Sequence, residues 1–213
     1  MRLRIILILL LPTLFACGQK YKPSIVILDP YERKYDSLLM TEIHKFDFEG
    51  YSTSEDEKIF NEQLKDKPEN VRIMETAEWK FREKKDFASM VTMSYQGMVS
   101  YLIYGQTEEC LIIPIHEKSS GQTDELMAIT KKYGVRWIIN PISIQVYLKG
   151  NDKRTTVRLQ IFDSQKRKIM LDKEYTGDTS SPGMELSCEE GTLDCTINNI
   201  LNQSLTDILT TIL

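Results

Sequence analysis

Apolar and polar residues alternate at period two in Ile142-Ser143-Ile144-Gln145-Val146-Tyr147-Leu148, and again in Val157-Arg158-Leu159-Gln160-Ile161. The pattern predicts two strands. Ile142, Ile144, Val146, Leu148, Val157, Leu159 and Ile161 should face a core, with Ser143, Gln145, Tyr147, Arg158 and Gln160 toward water. Lys149-Gly150-Asn151-Asp152 supplies a turn between them. Asp163 to Lys168 forms a second turn, before a third strand with Ile169, Leu171 and Tyr175. Upstream, Leu126, Ile129 and Tyr133 recur at helical spacing, and Gly134 is a natural helix stop. Val135-Arg136-Trp137-Ile138-Ile139 reads as a buried strand, and Asn140-Pro141 predicts a bend or interruption before Ile142. The chain is organised around this stretch, Asp124 to Tyr175.

Ser24-Ile25-Val26-Ile27-Leu28-Asp29-Pro30 predicts a first, central strand, whereas Tyr31 to Tyr51 is of mixed character. Ser54-Glu55-Asp56-Glu57 reads as a capping box opening a helix through Ile59, Phe60 and Leu64, ended by Lys67-Pro68-Glu69-Asn70. Val71-Arg72-Ile73-Met74 predicts a short strand, and Thr76 a cap for a helix carrying Trp79. Phe87 to Thr107 contains no charged residue and is long enough to span a bilayer, yet rich in Ser, Thr, Gln and Gly. The reading adopted is a core-packed helix with Phe87, Met90, Val91, Met98, Val99, Leu102 and Ile103 on one face. The sharper alternative is a membrane- or partner-contacting element. Leu111-Ile112-Ile113-Pro114-Ile115 predicts an edge strand. Thr176 to Gly191 is a polar loop. Leu193, Ile197, Ile200, Leu201, Leu205, Ile208, Leu209 and Ile212 form one stripe of a last helix. The fold class is α/β (α+β): a mixed central sheet with an antiparallel meander, helices packed on it, in a single domain.

The amino terminus has a different logic. Arg2 and Arg4 precede the apolar run Ile5 to Leu11, which is too short to span a membrane and reads as a secretory signal over residues 1–16. It ends Leu14-Phe15-Ala16-Cys17, which resembles a bacterial lipobox. The resemblance implies cleavage before Cys17 and lipidation of that residue by acyl chains such as palmitate. Residues 17–23 become a tether and 24–213 the folded body. Gly18 follows the cysteine where an inner-membrane retention signal has Asp, so the expected location is the outer membrane, facing the periplasm. Loss of Arg2 and Arg4 takes the formal charge from -4 to about -6. This balance argues against a nucleic-acid partner.

In an oxidising periplasm, Cys188 and Cys195 are expected to form a disulfide that pins the start of the last helix, while Cys110 reads as a buried thiol. The cysteines lack paired C-x-x-C spacing, which speaks against zinc. His44 and His116 are the two histidines, far apart in sequence. His116-Glu117, read as strand neighbours, should point to opposite faces. Asp29 reads as a strand-end turn residue. With no catalytic or phosphate-loop motif in the chain, no catalytic, cofactor or metal residue is assigned.

Three segments carry a wider resemblance. Ser24 to Pro30 is similar to an opening strand. Ile59-Phe60-Asn61-Glu62-Gln63-Leu64 through Val71-Arg72-Ile73-Met74 is similar to a helix followed by a short edge strand. Lys131-Lys132-Tyr133-Gly134-Val135-Arg136-Trp137-Ile138-Ile139-Asn140-Pro141-Ile142-Ser143-Ile144 is similar to a helix end, Gly and strand. Together they resemble the small domain shared by the TolB amino-terminal region, the curli-secretion channel lipoprotein and the lipoprotein activators of peptidoglycan synthases, with an insertion around 87–120. The resemblance implies a non-catalytic periplasmic lipoprotein, a binding or scaffold component of an envelope assembly with an envelope protein as partner. An oligomeric secretion or pore component is the alternative, motivated by the uncharged Phe87 to Thr107. An envelope enzyme on the same scaffold is the third reading.

Overall fold

The computed structural model describes residues 25–50, 52–104, 112–182 and 186–213. The expectations for the signal, Cys17, the tether, Cys110 and residues 105–107 lie outside the described residues.

Strand β1 (Ile25–Leu28) is apolar on both faces and fully buried, so it belongs in the middle of a covered sheet. It pairs in parallel with β5 (Ile112–Ile115) on one side and β6 (Trp137–Lys149) on the other. Beyond Asp29-Pro30-Tyr31 the chain rejoins β6 as β2 (Glu32–Tyr35), again parallel. β6, β7 (Asp152–Asp163) and β8 (Lys168–Gly177) form the predicted antiparallel meander. The sheet order is β5-β1-β6-β7-β8, with β2 also on β6. A small antiparallel pair, β3 (Phe48–Glu49) and β4 (Lys84–Lys85), stands apart from it.

The two strands expected on either side of Asn140-Pro141 are one continuous strand, β6. A register shift between Pro141 and Ser143 inserts an extra residue. That insertion preserves the core. Side chains alternate strictly along a strand, so without it Ile144 and Val146 would face away from Trp137 and Ile139. With it, all four line one core. Ile142 is the residue displaced. It leaves the predicted core face and packs beside Gly121 and Gln160. Gln160, expected in water, is buried there.

Helices cover the sheet on both faces. α4 (Phe87–Tyr104), α6 (Leu193–Ile212) and the short α1 (Met40–Ile43) pack on one. α3 (Glu69–Glu83) and α5 (Thr123–Tyr133) pack on the other, over the parallel strands. α2 (Ser54–Leu64) leans on α3 through stacked Phe60 and Trp79 rings, 4.4 Å apart. α4 buries Phe87, Ala88, Val91, Tyr95, Val99 and Ile103, one residue or two per turn. Its Tyr101, 70% exposed, lies on the opposite side. The uncharged segment is therefore a core helix over its described length. Among the described residues no helix is long and apolar enough to cross a membrane. α5 stops at Gly134, whose φ of 65° is the left-handed conformation that glycine adopts at least cost. Cys188 and Cys195 are joined by a disulfide, with Cα atoms 5.3 Å apart, at the start of α6.

Two local expectations are corrected. Val71 to Met74 lies within the first two turns of α3, not in a strand. A four-residue apolar run fits either element, and Met74, Ala77 and Phe81 continue it at helical spacing after Pro68. Thr76 is thus inside a helix rather than a cap. The capping box of α2 also lies one residue earlier, with Thr53 and Asp56 bonding reciprocally.

Phe87 sits edge-on to Phe46 and Tyr35 at 5.0 and 6.0 Å. Phe87→Ala should destabilise the fold by about 3–5 kcal/mol, measured by urea unfolding, against less than about 0.5 kcal/mol for Tyr101→Ala. At Gly177 an added Cβ would collide with the Thr196 main-chain carbonyl of α6, which cannot swing aside. Gly177→Ala should cost about 1–3 kcal/mol in the same measurement.

Candidate functional site

β1 and β5 run parallel, so their carboxyl ends emerge together, at the end of an open α/β sheet where ligands usually bind. Asp29 leaves the end of β1 and is only 3% exposed. Its main-chain N–H donates to Glu117 O at 2.9 Å, extending the β1–β5 pairing by one step. A buried carboxylate needs donors. Asp29 has four: His116 Nδ1 at 2.8 Å, Thr92 Oγ1 at 3.2 Å, Ser89 Oγ at 3.4 Å and Arg33 Nη2 at 3.4 Å. Arg33, from β2, also bridges to Asp86. Asp86 caps α4 by accepting from the Ser89 N–H at 2.9 Å. Burial raises the Asp86 carboxyl, but the Ser89 bonds and the Arg33 charge outweigh it, and the group lies below its ordinary range.

His116 follows directly after β5. The Asp29 hydrogen bond holds its imidazole above the ordinary value. Burial works against that, and the Asp29 charge and the Lys84 main-chain carbonyl support it. Its ring stacks on Phe81 of α3, with centroids 4.5 Å apart. The histidine is thus fastened from three sides: β1, β4 and α3.

Beside it opens a groove of about 940 Å³ between α2, α3, the end of β5 and the carboxyl end of α5. Its apolar lining includes Leu64, Ile73, Ala77, Ile115 and Tyr133. The rim carries Lys65, Arg72, Lys80 and Lys132 against Glu69 and Glu117. Glu117 accepts from Tyr133 Oη at 2.7 Å and pairs with Lys132. Lys65 pairs with Glu62 at 2.5 Å. Among the described residues Arg72 and Lys80 have no acidic partner, so the groove carries excess positive charge on an acidic protein.

The sequence reading missed this cluster. Asp29 is its hub rather than a turn residue, and three of its four donors stand 60 to 87 positions away. His116 and Glu117 line the same groove, not opposite faces, because β5 ends at Ile115 and strand alternation ends with it. One local trace existed: an acid, Asp86, three residues before Ser89 at the head of the uncharged segment. His44 pairs on the surface with Asp47 at 2.8 Å. Cys188 and Cys195 belong to the α6 boundary rather than to the groove. Among the described residues no three His, Cys, Asp or Glu side chains are grouped to hold a metal.

No protein-family model and no curated protein matches the chain. Solved structures similar to it include the LpoB C-terminal domain from Salmonella enterica, at 9% identity over 79% of this chain and 92% of that one, TM-score 0.25. Lipoprotein GNA1162 from Neisseria meningitidis is 12% identical over 88% and 99%, TM-score 0.28. Protein XCC0632 from Xanthomonas campestris is 9% identical over 91% and 89%, TM-score 0.33.

The raised imidazole value makes stability pH-dependent. A group whose folded value lies above its unfolded one stabilises fully below the unfolded value, about pH 6.5 for histidine. The contribution fades as pH rises through the folded value. The thermal midpoint should therefore fall from pH 6.5 upward in the natural protein, and His116→Gln should remove that slope.

Proposed function

We propose that the chain is a membrane-anchored, non-catalytic lipoprotein of the bacterial envelope, held through Cys17 in the outer membrane and facing the periplasm. Residues 1–16 are the signal, 17–23 the tether and 24–213 the body, which serves as a binding or scaffold component of an envelope assembly. The address is supported by the coincidence of a short apolar signal with Leu14-Phe15-Ala16-Cys17. The binding role is supported by one observation above the others. The groove holds clustered titratable groups, as an enzyme would need, but its imidazole is engaged by Asp29 and the Lys84 carbonyl and stacked on Phe81. What the groove offers a visitor is apolar surface and unpaired cations, which is recognition chemistry. The motive for a pore component weakens, because Phe87–Tyr104 packs inside the body.

Metabolic labelling with a palmitate analogue in a Gram-negative host tests the anchor. The natural chain should be labelled and sediment with outer membranes, while Cys17→Ser should lose the label and leave the membrane fraction. Labelling that persists in Cys17→Ser would sink the assignment.

A further inference from the structure

Arg72, Thr76 and Lys80 follow one another at four-residue intervals along α3, and all three line the groove. Arg72 and Lys80 are exposed, and at 1.5 Å rise per residue their Cα atoms are separated by about 12 Å along the helix. Other groove cations are already matched: Lys132 faces Glu117, and Lys65 faces Glu62. Between the two unmatched charges stands Thr76, with the apolar Ile73 and Ala77 of α3 beside it. The surface thus presents two positive charges flanking a mainly apolar strip, in an open trough.

We propose that this trough binds an acidic segment of an envelope protein, with two carboxylates meeting Arg72 and Lys80 and apolar side chains between them seated on Ile73 and Ala77. An extended chain advances about 3.3 Å per residue, so the acids would stand about four positions apart. Charge complementarity suits such a segment, as the rest of the protein is acidic and the groove is not. The apolar Ile73 and Ala77 beside the charges favour a peptide, which offers side chains to both, over a lipid headgroup, which offers charge alone. That the segment belongs to an envelope protein rests on the lipoprotein reading above; the charge and shape of the trough do not.

The test uses the full chain in neutral detergent micelles and a fluorescein-labelled peptide in which two glutamates, four positions apart, flank leucines. Fluorescence anisotropy at low salt should show binding that weakens at least tenfold when the glutamates are replaced by glutamines, and at least tenfold in R72A/K80A. K166A/K168A removes the same charge from exposed positions at the β7–β8 turn and should change binding less than twofold. Circular dichroism melts should be equal for all variants, since every substituted side chain is exposed. Equal loss in both double variants, or equal binding of the glutamine peptide, overturns the proposal. So does Arg72- and Lys80-dependent binding of phosphatidylglycerol vesicles with no peptide binding, which would make the trough a lipid site. In cells, crosslinking that recovers the same envelope partner from the natural chain and from R72A/K80A would sink the trough while leaving the scaffold role intact. Loss of the Cys17 assignment would sink the anchor without altering peptide binding.

Discussion

A charge inside a protein has to be met by donors, and the side chain that imposes this most heavily here is the Asp29 carboxylate. Burying it unpaired would cost more than most single interactions contribute. Its four donors come from β2, from two successive turns of α4 and from the end of β5. α4 and β5 follow one another in the chain, but β2 stands more than fifty residues before them. Satisfying one carboxylate therefore sets where β2 leaves β1, how α4 is rotated over the sheet and where β5 stops. The break at Asp29-Pro30-Tyr31 and the irregularity in β6 fall at the same level of the sheet. The polar hub sits where two adjacent strands both depart from regular pairing.

The meander was legible from sequence because its information is local. Alternation names the buried face, and the turns at Gly150 and after Asp163 fix the partners. The parts that escaped depend on what arrives from elsewhere. A strand reading of Val71 to Met74 is reasonable until Phe81 is found on the same buried side as Met74. Ile142 reads as core because parity is counted from Ile144, and nothing local reveals an inserted residue. Asp29 reads as punctuation until Thr92 and His116 meet it. In sequence Arg72 falls in a run that reads as a short strand, and Lys80 on an ordinary helix surface. They become walls of a groove only once α2, α5 and the end of β5 surround them.

The two borders of the sheet are managed in different ways, and this explains the position of α3. β5 carries Pro114, which lacks an N–H, and α3 packs beside it. At the other border, β8 places Asp172, Lys173 and Glu174 in a row, and charges there discourage further strand pairing. α3 thus has two roles. Its inner side, with Met74 and Phe81, closes the parallel border. Its outer side carries Arg72 and Lys80 on the groove and Trp79 against α2.

The placement of β1 has a mechanical side. It is the first described strand, yet it lies between two others, held by four register pairs to β5 and three to β6. A pull on the amino-terminal side runs along the axis of β1 and strains both ladders in shear together, rather than opening them one rung at a time as on a border strand. Force entering by that end is resisted by the best-buried strand in the molecule. The meander and the groove carry load only after β1 itself has slipped.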